Sequence, residues 1–197
     1  MQKKFHNQFR TESIRAKWHD YGNGVYFITI CTKNMVHYFG EITCLPYKDT
    51  TCSADVNKNT MQFSKIGRYL NEQIGNISSH NPYARIPVWV VMPNHVHLLV
   101  IIDGKKTPYP RRCQHFVKPW HTTAADISNL QGWLSVTIGG LKSSITRYAN
   151  ENHIGFAWQT RFYDCIIRDE EDWNSFVHYI ENNVKNWETD CHPEFFV

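Results

Sequence analysis

No stretch of this chain runs apolar long enough to cross a membrane, and residues 1–17 lack the apolar core of a secretory signal. A soluble protein kept in the cytoplasm is therefore expected. The six cysteines, Cys31, Cys44, Cys52, Cys113, Cys165 and Cys191, include no CxxC pair and no dense framework. That disfavours structural zinc and predicts reduced thiols in a reducing compartment. Internal repeats, low-complexity tracts and Pro/Gly/Ser-rich linkers are also missing. The chain should therefore form one domain, 1–197, large enough for a real core. A strong charge of one sign is absent as well: the formal net charge is only +3, which fits a nucleic-acid partner without demanding one.

Aromatic residues are plentiful, at 14% of the chain. Many must be core, and some excess is expected on flat surfaces that stack on bases or proteins. Basic residues gather in an N-terminal arm, where Lys3, Lys4, Arg10, Arg15 and Lys17 face a single acid, Glu12. The pattern predicts a strand over 25–33 after the turn signal Gly22-Asn23-Gly24, and a second over 36–44 that could pair with it as a hairpin. A polar loop over 45–60 follows, then a helix over 64–77 capped by Ser64, with Ile66, Leu70, Ile74 and Ile77 at helical spacing.

The runs 86–92 and 95–102 are nearly continuously apolar, which predicts two central strands buried on both faces. Residues 103–123 read as a basic loop insertion. A long helix over 128–152 could bend at Gly139-Gly140. A strand over 162–168 and a helix over 169–185 complete the order, with acids at the start of that helix. The whole predicts an α+β fold, a ferredoxin-like or RRM-like antiparallel sheet with helices packed on one face.

His95-Val96-His97 lies in the second apolar run, and residues two apart on a strand share a face. Two imidazoles on one rigid strand make half of a divalent metal site, or else a pair of histidines satisfied by ordinary hydrogen bonds. In the last helix, Tyr179 and Asn183 lie four apart and hence on one face. The Asn183 amide oxygen could complete a site for a hard cation, Mg²⁺ or Mn²⁺, and set Tyr179 beside it as a nucleophile towards phosphate. Read without the histidines, the two are a core tyrosine and a helix-end cap. Trp158-Gln159-Thr160-Arg161-Phe162-Tyr163 combines stacking faces with base-reading side chains, or packs at a strand entry. Arg15 in the arm and the basic 103–123 loop are candidate phosphate contacts. Tyr148 and Tyr163 rival Tyr179 as nucleophile.

Taken in order, these segments resemble the REP-associated tyrosine transposases and their insertion-sequence relatives, the single-tyrosine HUH transposases. The resemblance spans nearly the whole chain. It runs from Ser13-Ile14-Arg15 and Trp18-His19-Asp20-Tyr21 through Tyr26-Phe27-Ile28-Thr29-Ile30-Cys31-Thr32 and Phe39-Gly40-Glu41-Ile42. Val90-Val91-Met92-Pro93-Asn94-His95-Val96-His97-Leu98-Leu99-Val100 is similar to the HUH strand. Leu141-Lys142-Ser143-Ser144-Ile145-Thr146, Trp158 to Asp164, Ile166-Ile167-Arg168-Asp169-Glu170-Glu171 and Tyr179-Ile180-Glu181-Asn182-Asn183 follow in family order.

The resemblance implies that His95, His97 and Asn183 ligate a divalent metal and that Tyr179 forms a 5′-phosphotyrosine linkage, leaving a free 3′-hydroxyl. It implies single-stranded DNA with hairpins as partner; Arg15, Lys142, Trp158, Gln159 and Arg161 are the residues expected to contact it. It also implies a bacterial, nucleoid-associated setting and no small-molecule cofactor. A monomer using its own tyrosine is expected, with a dimer as the alternative. A non-catalytic single-strand-binding module, a metal-dependent hydrolase using water and a domesticated relative are the competing functions.

Overall fold

The computed structural model describes residues 4–5, 8–9, 21–46, 57–108 and 132–187. Much of the basic arm, including Arg15, and most of the 103–123 loop lie outside these residues. In chain order the strands are β1 (Lys4–Phe5), β2 (Gln8–Phe9), β3 (Gly24–Cys31), β4 (Gly40–Pro46), β5 (Asn57–Phe63), β6 (Ala84–Val91), β7 (His95–Ile102) and β8 (Tyr163–Ile166). The helices are α1 (Lys65–Gly75), the short α2 (Ile77–His80), α3 (Trp133–Glu151) and α4 (Glu170–Asn182).

The central sheet has four antiparallel strands in the order β6-β7-β3-β8. The α+β class and the antiparallel sheet are as the sequence predicts. Alternate residues of β3 and β7 build two cores. Tyr26, Ile28 and Ile30 with Val96, Leu98 and Val100 face Ile66, Leu70 and Ile74 of α1 and Leu134, Ile138 and Ile145 of α3. On the opposite face, Phe27 and Leu99 meet Ile180, with Trp173, Phe176 and Val177 of α4 around them. Two long helices thus share one face as expected, while α4 takes the other.

The predicted hairpin of 25–33 with 36–44 does not form. After β3 the chain enters a single 3-10 turn, Lys33–Met35, and leaves the sheet. β4 instead pairs with β5 in a separate two-stranded sheet. Its partner begins in the segment read as loop, because 57–60 are polar and only Met61 and Phe63 alternate towards the core. The strand following β3 in sequence is displaced because β7 and β8 already occupy both edges of β3.

The second correction concerns β6, expected to be central. It is an edge strand. Its apolar run reflects helices on both faces rather than strands on both sides. Val88 and Val90 lie under the α4 cluster, while Trp89 packs on the α1 side and donates its Nε1–H to Asn71 Oδ1 at 2.9 Å.

Local signals hold well elsewhere. Ser64 caps α1, its Oγ accepting from the Gly67 amide at 3.1 Å. Gly67 is required for a different reason: a Cβ there would stand 1.9 Å from the Phe39 carbonyl oxygen. Gly139 and Gly140 sit exposed within an unbroken α3. Asp169 caps α4, accepting from Asp172 N at 2.8 Å, with Glu170, Glu171 and Asp172 in the first turn.

Candidate active site

The alternation of β7 sends His95 and His97 to the α4 face of the sheet, where both are buried. Across the β3–β7 ladder, His97 sits opposite Thr29 and His95 opposite Cys31. Each imidazole has its Nδ1 engaged within the protein: His97 with Thr29 Oγ1 at 2.8 Å and His95 with Asn94 Oδ1 at 2.7 Å. The ring centroids are 4.6 Å apart. Sequence reasoning names neither Thr29 nor Asn94 as part of the site. Thr29 was recoverable only with the strand register in hand.

α4 reaches this pair because of how it docks. Phe176 stacks on Phe27 at 4.4 Å between centroids, and Phe27 stacks in turn on His97 at 5.3 Å. One turn onward, Tyr179 meets His97 edge to face at 5.1 Å, with its hydroxyl 3.4 Å from Nε2. Asn183, another turn along the same face, is 1% exposed although it ends the helix. The spacing of Phe176, Tyr179, Ile180 and Asn183 is the apolar-stripe spacing of an amphipathic helix. Two of its positions carry polar groups towards the histidines' face.

Trp187 lies a further four residues on. Its ring lies over His95 in near-parallel fashion, 6.1 Å between centroids and 22° between planes. His37, on the exposed turn after β3, meets Trp187 edge-on at 5.7 Å. Asn59 of β5 donates to the Lys185 carbonyl at 3.1 Å, tying the β4–β5 hairpin to this segment. Trp187 and His37 are further residues that sequence reasoning missed. The repeat of four from Tyr179 through Asn183 to Trp187 was the available signal.

Burial decides the protonation of the pair. Desolvation, with a smaller push from His37, lowers the His95 pKa to about 4. His97 falls well below the usual histidine value through desolvation and then the neighbouring His95. Both are neutral near pH 7, the form that offers a lone pair. Among the described residues no group of three His, Cys, Asp or Glu side chains could hold a metal. The donors on this face are two imidazoles with the Tyr179 phenol beside them, and the helix repeat sets the buried Asn183 amide between Tyr179 and Trp187. This mixed nitrogen and oxygen set suits a divalent cation, not a thiolate-seeking one.

The two rival tyrosines stand elsewhere. Tyr148 stacks on Tyr69 at 4.0 Å on the α1–α3 side of the sheet. Tyr163 is opposite Thr29 on β8 and so faces the same side as the histidines, 43% exposed. Burial, then Cys165 and Asp164, raise its phenol pKa, which makes it a poorer nucleophile source. Cys31 is inert, its thiol pushed up to about 11 by burial despite Lys142.

Lys142 and Trp158, expected at the DNA, are largely occupied by the protein. The Lys142 ammonium donates to the carbonyls of Gln159 and Arg161 at 2.8 and 2.9 Å and lies 5.7 Å from the Trp158 ring centroid. Trp158 packs against Phe39 and Phe156 and donates Nε1–H to the Lys142 carbonyl at 3.1 Å. Together they hold a loop in which Arg161 has a left-handed backbone, φ 73°. Gln159 and Arg161 carry their side chains on its exposed side. The loop lies at the His95 end of the sheet, since Gln159 N donates to the carbonyl of Cys31, the cross-strand partner of His95.

No family model matches the chain. It is 35% identical over 185 residues to an uncharacterized protein of Haemophilus influenzae, an alignment covering 90% of each chain. Among solved structures it is similar to a REP-associated tyrosine transposase bound to a REP hairpin, at 16% identity and a TM-score of 0.45, covering 93% of this chain and 76% of the other. It is also similar to a Deinococcus radiodurans R1 protein assigned as a transposase, at 14% identity and a TM-score of 0.35, covering 88% of this chain and 97% of the other.

Proposed function

The chain belongs to one family with the Haemophilus influenzae protein, and we propose that it is a single-tyrosine transposase of the HUH kind, cleaving and rejoining single-stranded DNA at hairpin sequences through Tyr179. The observation that carries this reading is the approach of the Tyr179 hydroxyl to within 3.4 Å of Nε2 of a buried, neutral histidine. That nitrogen belongs to one of two imidazoles on a single strand face, and a buried amide follows one turn beyond the tyrosine.

His95, His97 and Asn183 would hold Mg²⁺ or Mn²⁺. The chemistry such an ion would supply there is polarisation of the scissile phosphate, offsetting the charge that builds on its oxygens. Tyr179 attacks phosphorus, the 3′-oxygen leaves, and the tyrosine keeps the 5′-phosphate. Attack by another 3′-hydroxyl reverses the step, so no external energy source is needed. With its nitrogen committed to the ion, His97 would not take the phenolic proton. The proton passes to solvent, to which Tyr179 is 39% exposed. The stacking of Phe176 on Phe27 fixes the helix and so aims the hydroxyl.

The competing readings fit less well. An RRM-like module binds single strands on an open sheet face. Here α4 covers the face carrying Phe27, Leu99 and His97. A water-using hydrolase needs a carboxylate base by the histidines. Asp164 pairs with Ile28, on the other face of the sheet, and Glu181 is exposed.

The test is a covalent-adduct assay with labelled hairpin DNA from the flanks of the gene, with Mg²⁺, Mn²⁺ or chelator. A denaturation-resistant protein–DNA band is expected with wild type and metal. It should vanish with chelator and with Tyr179→Phe, while that variant still binds DNA. A band that persists with Tyr179→Phe would overturn the nucleophile. Tight DNA binding with no band under any condition would overturn the enzyme.

A further inference from the structure

The turn that joins β6 to β7 holds a side chain whose two hydrogen bonds fix its orientation. Asn94 is buried, 7% exposed, and its Nδ2 donates to the Met35 carbonyl at 3.3 Å. A carbonyl oxygen only accepts, so the amide NH₂ must face Met35 and the amide oxygen must face His95. That oxygen is 2.7 Å from His95 Nδ1. An amide oxygen likewise only accepts, so His95 Nδ1 carries the hydrogen. On a ring whose one N–H is at Nδ1, the bare lone pair belongs to Nε2.

The same side chain grips an unusual backbone. Asn34 and Met35 are both left-handed, at φ 57° and 53°. Asparagine tolerates that region, but methionine is strained there and stays only where its surroundings hold it. The Asn94 bond to the Met35 carbonyl is one such hold. The Asn94 carbonyl adds another, accepting from Thr32 N at 2.8 Å and from Thr32 Oγ1 at 3.0 Å. The Phe39 amide also donates to the Pro93 carbonyl at 3.0 Å. His37, which stands over the site against Trp187, is carried on this stitched segment.

We propose that Asn94 is a positioning residue that locks His95 in the Nδ1–H tautomer, presents its Nε2 lone pair to the candidate metal site, and fastens the 33–37 turn to that imidazole. The significance for metal rests on the function proposed above, whereas the tautomer and the turn do not depend on it. Ligating histidines are commonly oriented by an acceptor on their other nitrogen, and its loss typically weakens metal binding about 10–100-fold.

Two variants separate the two bonds. Asn94→Leu loses both. Asn94→Asp keeps an oxygen facing His95 but sets a second oxygen against the Met35 carbonyl, which releases the turn. The tautomer is read directly from histidine ring ¹⁵N shifts in the full chain at pH 8, and Mn²⁺ affinity from electron paramagnetic resonance of the free ion. Wild type should show Nδ1 protonated and Nε2 bare at His95. Asn94→Asp should keep that pattern and shift the amide signals of residues 33–37. Asn94→Leu should lose the pattern and bind Mn²⁺ at least about 10-fold more weakly, while the methyl shifts of Leu98 and Val100 report an intact core. A wild-type His95 protonated at Nε2, or an Asn94→Leu variant with an unchanged His95 spectrum, would overturn the assignment. Failure of wild type to bind Mn²⁺ despite the expected spectrum would instead sink the metal reading and the lone pair's purpose with it.

Discussion

His95 and His97 are neutral because they are buried, and that ties stability to pH. An ordinary histidine in the unfolded chain takes up its proton near pH ~6.5, whereas His95 does so only near about 4 and His97 well below the usual value. As pH falls below ~6.5, the unfolded chain binds protons that the native chain refuses, so acid favours unfolding. The contribution is fully present above that pH and is lost progressively towards pH 4. Melting temperatures in chelator should therefore fall steadily between pH 7 and 4.5, and His95→Gln should flatten part of that slope. A slope unchanged by the substitution would mean that His95 is not buried neutral.

At the same scale, the legibility of the site was uneven. His95, His97, Tyr179 and Asn183 were readable because a strand repeats every two residues and a helix every three or four. Thr29 meets His97 through one hydrogen bond across the ladder, and Asn94 meets His95 and Met35 from a turn; no periodicity announces partners of that sort. Lys142, expected at the DNA, has intramolecular partners that no pattern announces: two carbonyls and an indole surround its ammonium.

Elements were predicted better than their neighbours. β3, β7, α1, α3 and α4 fall close to the expected spans, since each shows a clear hydrophobic period or a cap. Pairing is another matter. β4 follows β3 in sequence, yet its partner is the mostly polar β5, whose alternation is limited to Met61 and Phe63. β6 looked central because helices cover both its faces. Burial of faces, not of edges, is what an apolar run reports.

Two tests belong here. The backbone of α1 approaches Phe39 so closely at Gly67 that Gly67→Ala must push the helix away. A loss of roughly 3 kcal/mol or more is expected from overpacking against rigid backbone, read as a lower denaturant midpoint. Normal stability would mean that α1 can shift without cost. Lys142→Met should keep the apolar stem beside Trp158 and remove both carbonyl contacts. The prediction is faster amide exchange over 158–161, with modest loss of global stability. If exchange there is unchanged, the loop holds its left-handed Arg161 without help.

For the molecule as a whole, the Tyr179–His97 contact is made within one chain. A tyrosine acting on its own chain's histidines cannot be rescued by a second defective copy. Mixing Tyr179→Phe with a His95→Ala, His97→Ala double variant should restore no adduct formation, whether or not the protein self-associates. Recovery of the adduct would show that α4 is exchanged between copies.

β7 carries the core and the candidate site on alternate residues, with Val96, Leu98 and Val100 in the α1–α3 core and His95 and His97 across from them. The two sets answer to different selection. If the function proposed above were lost while the fold was kept, the imidazoles would be less constrained than their neighbours. A retired copy should thus look eroded at every second position of this strand, and a working one should not.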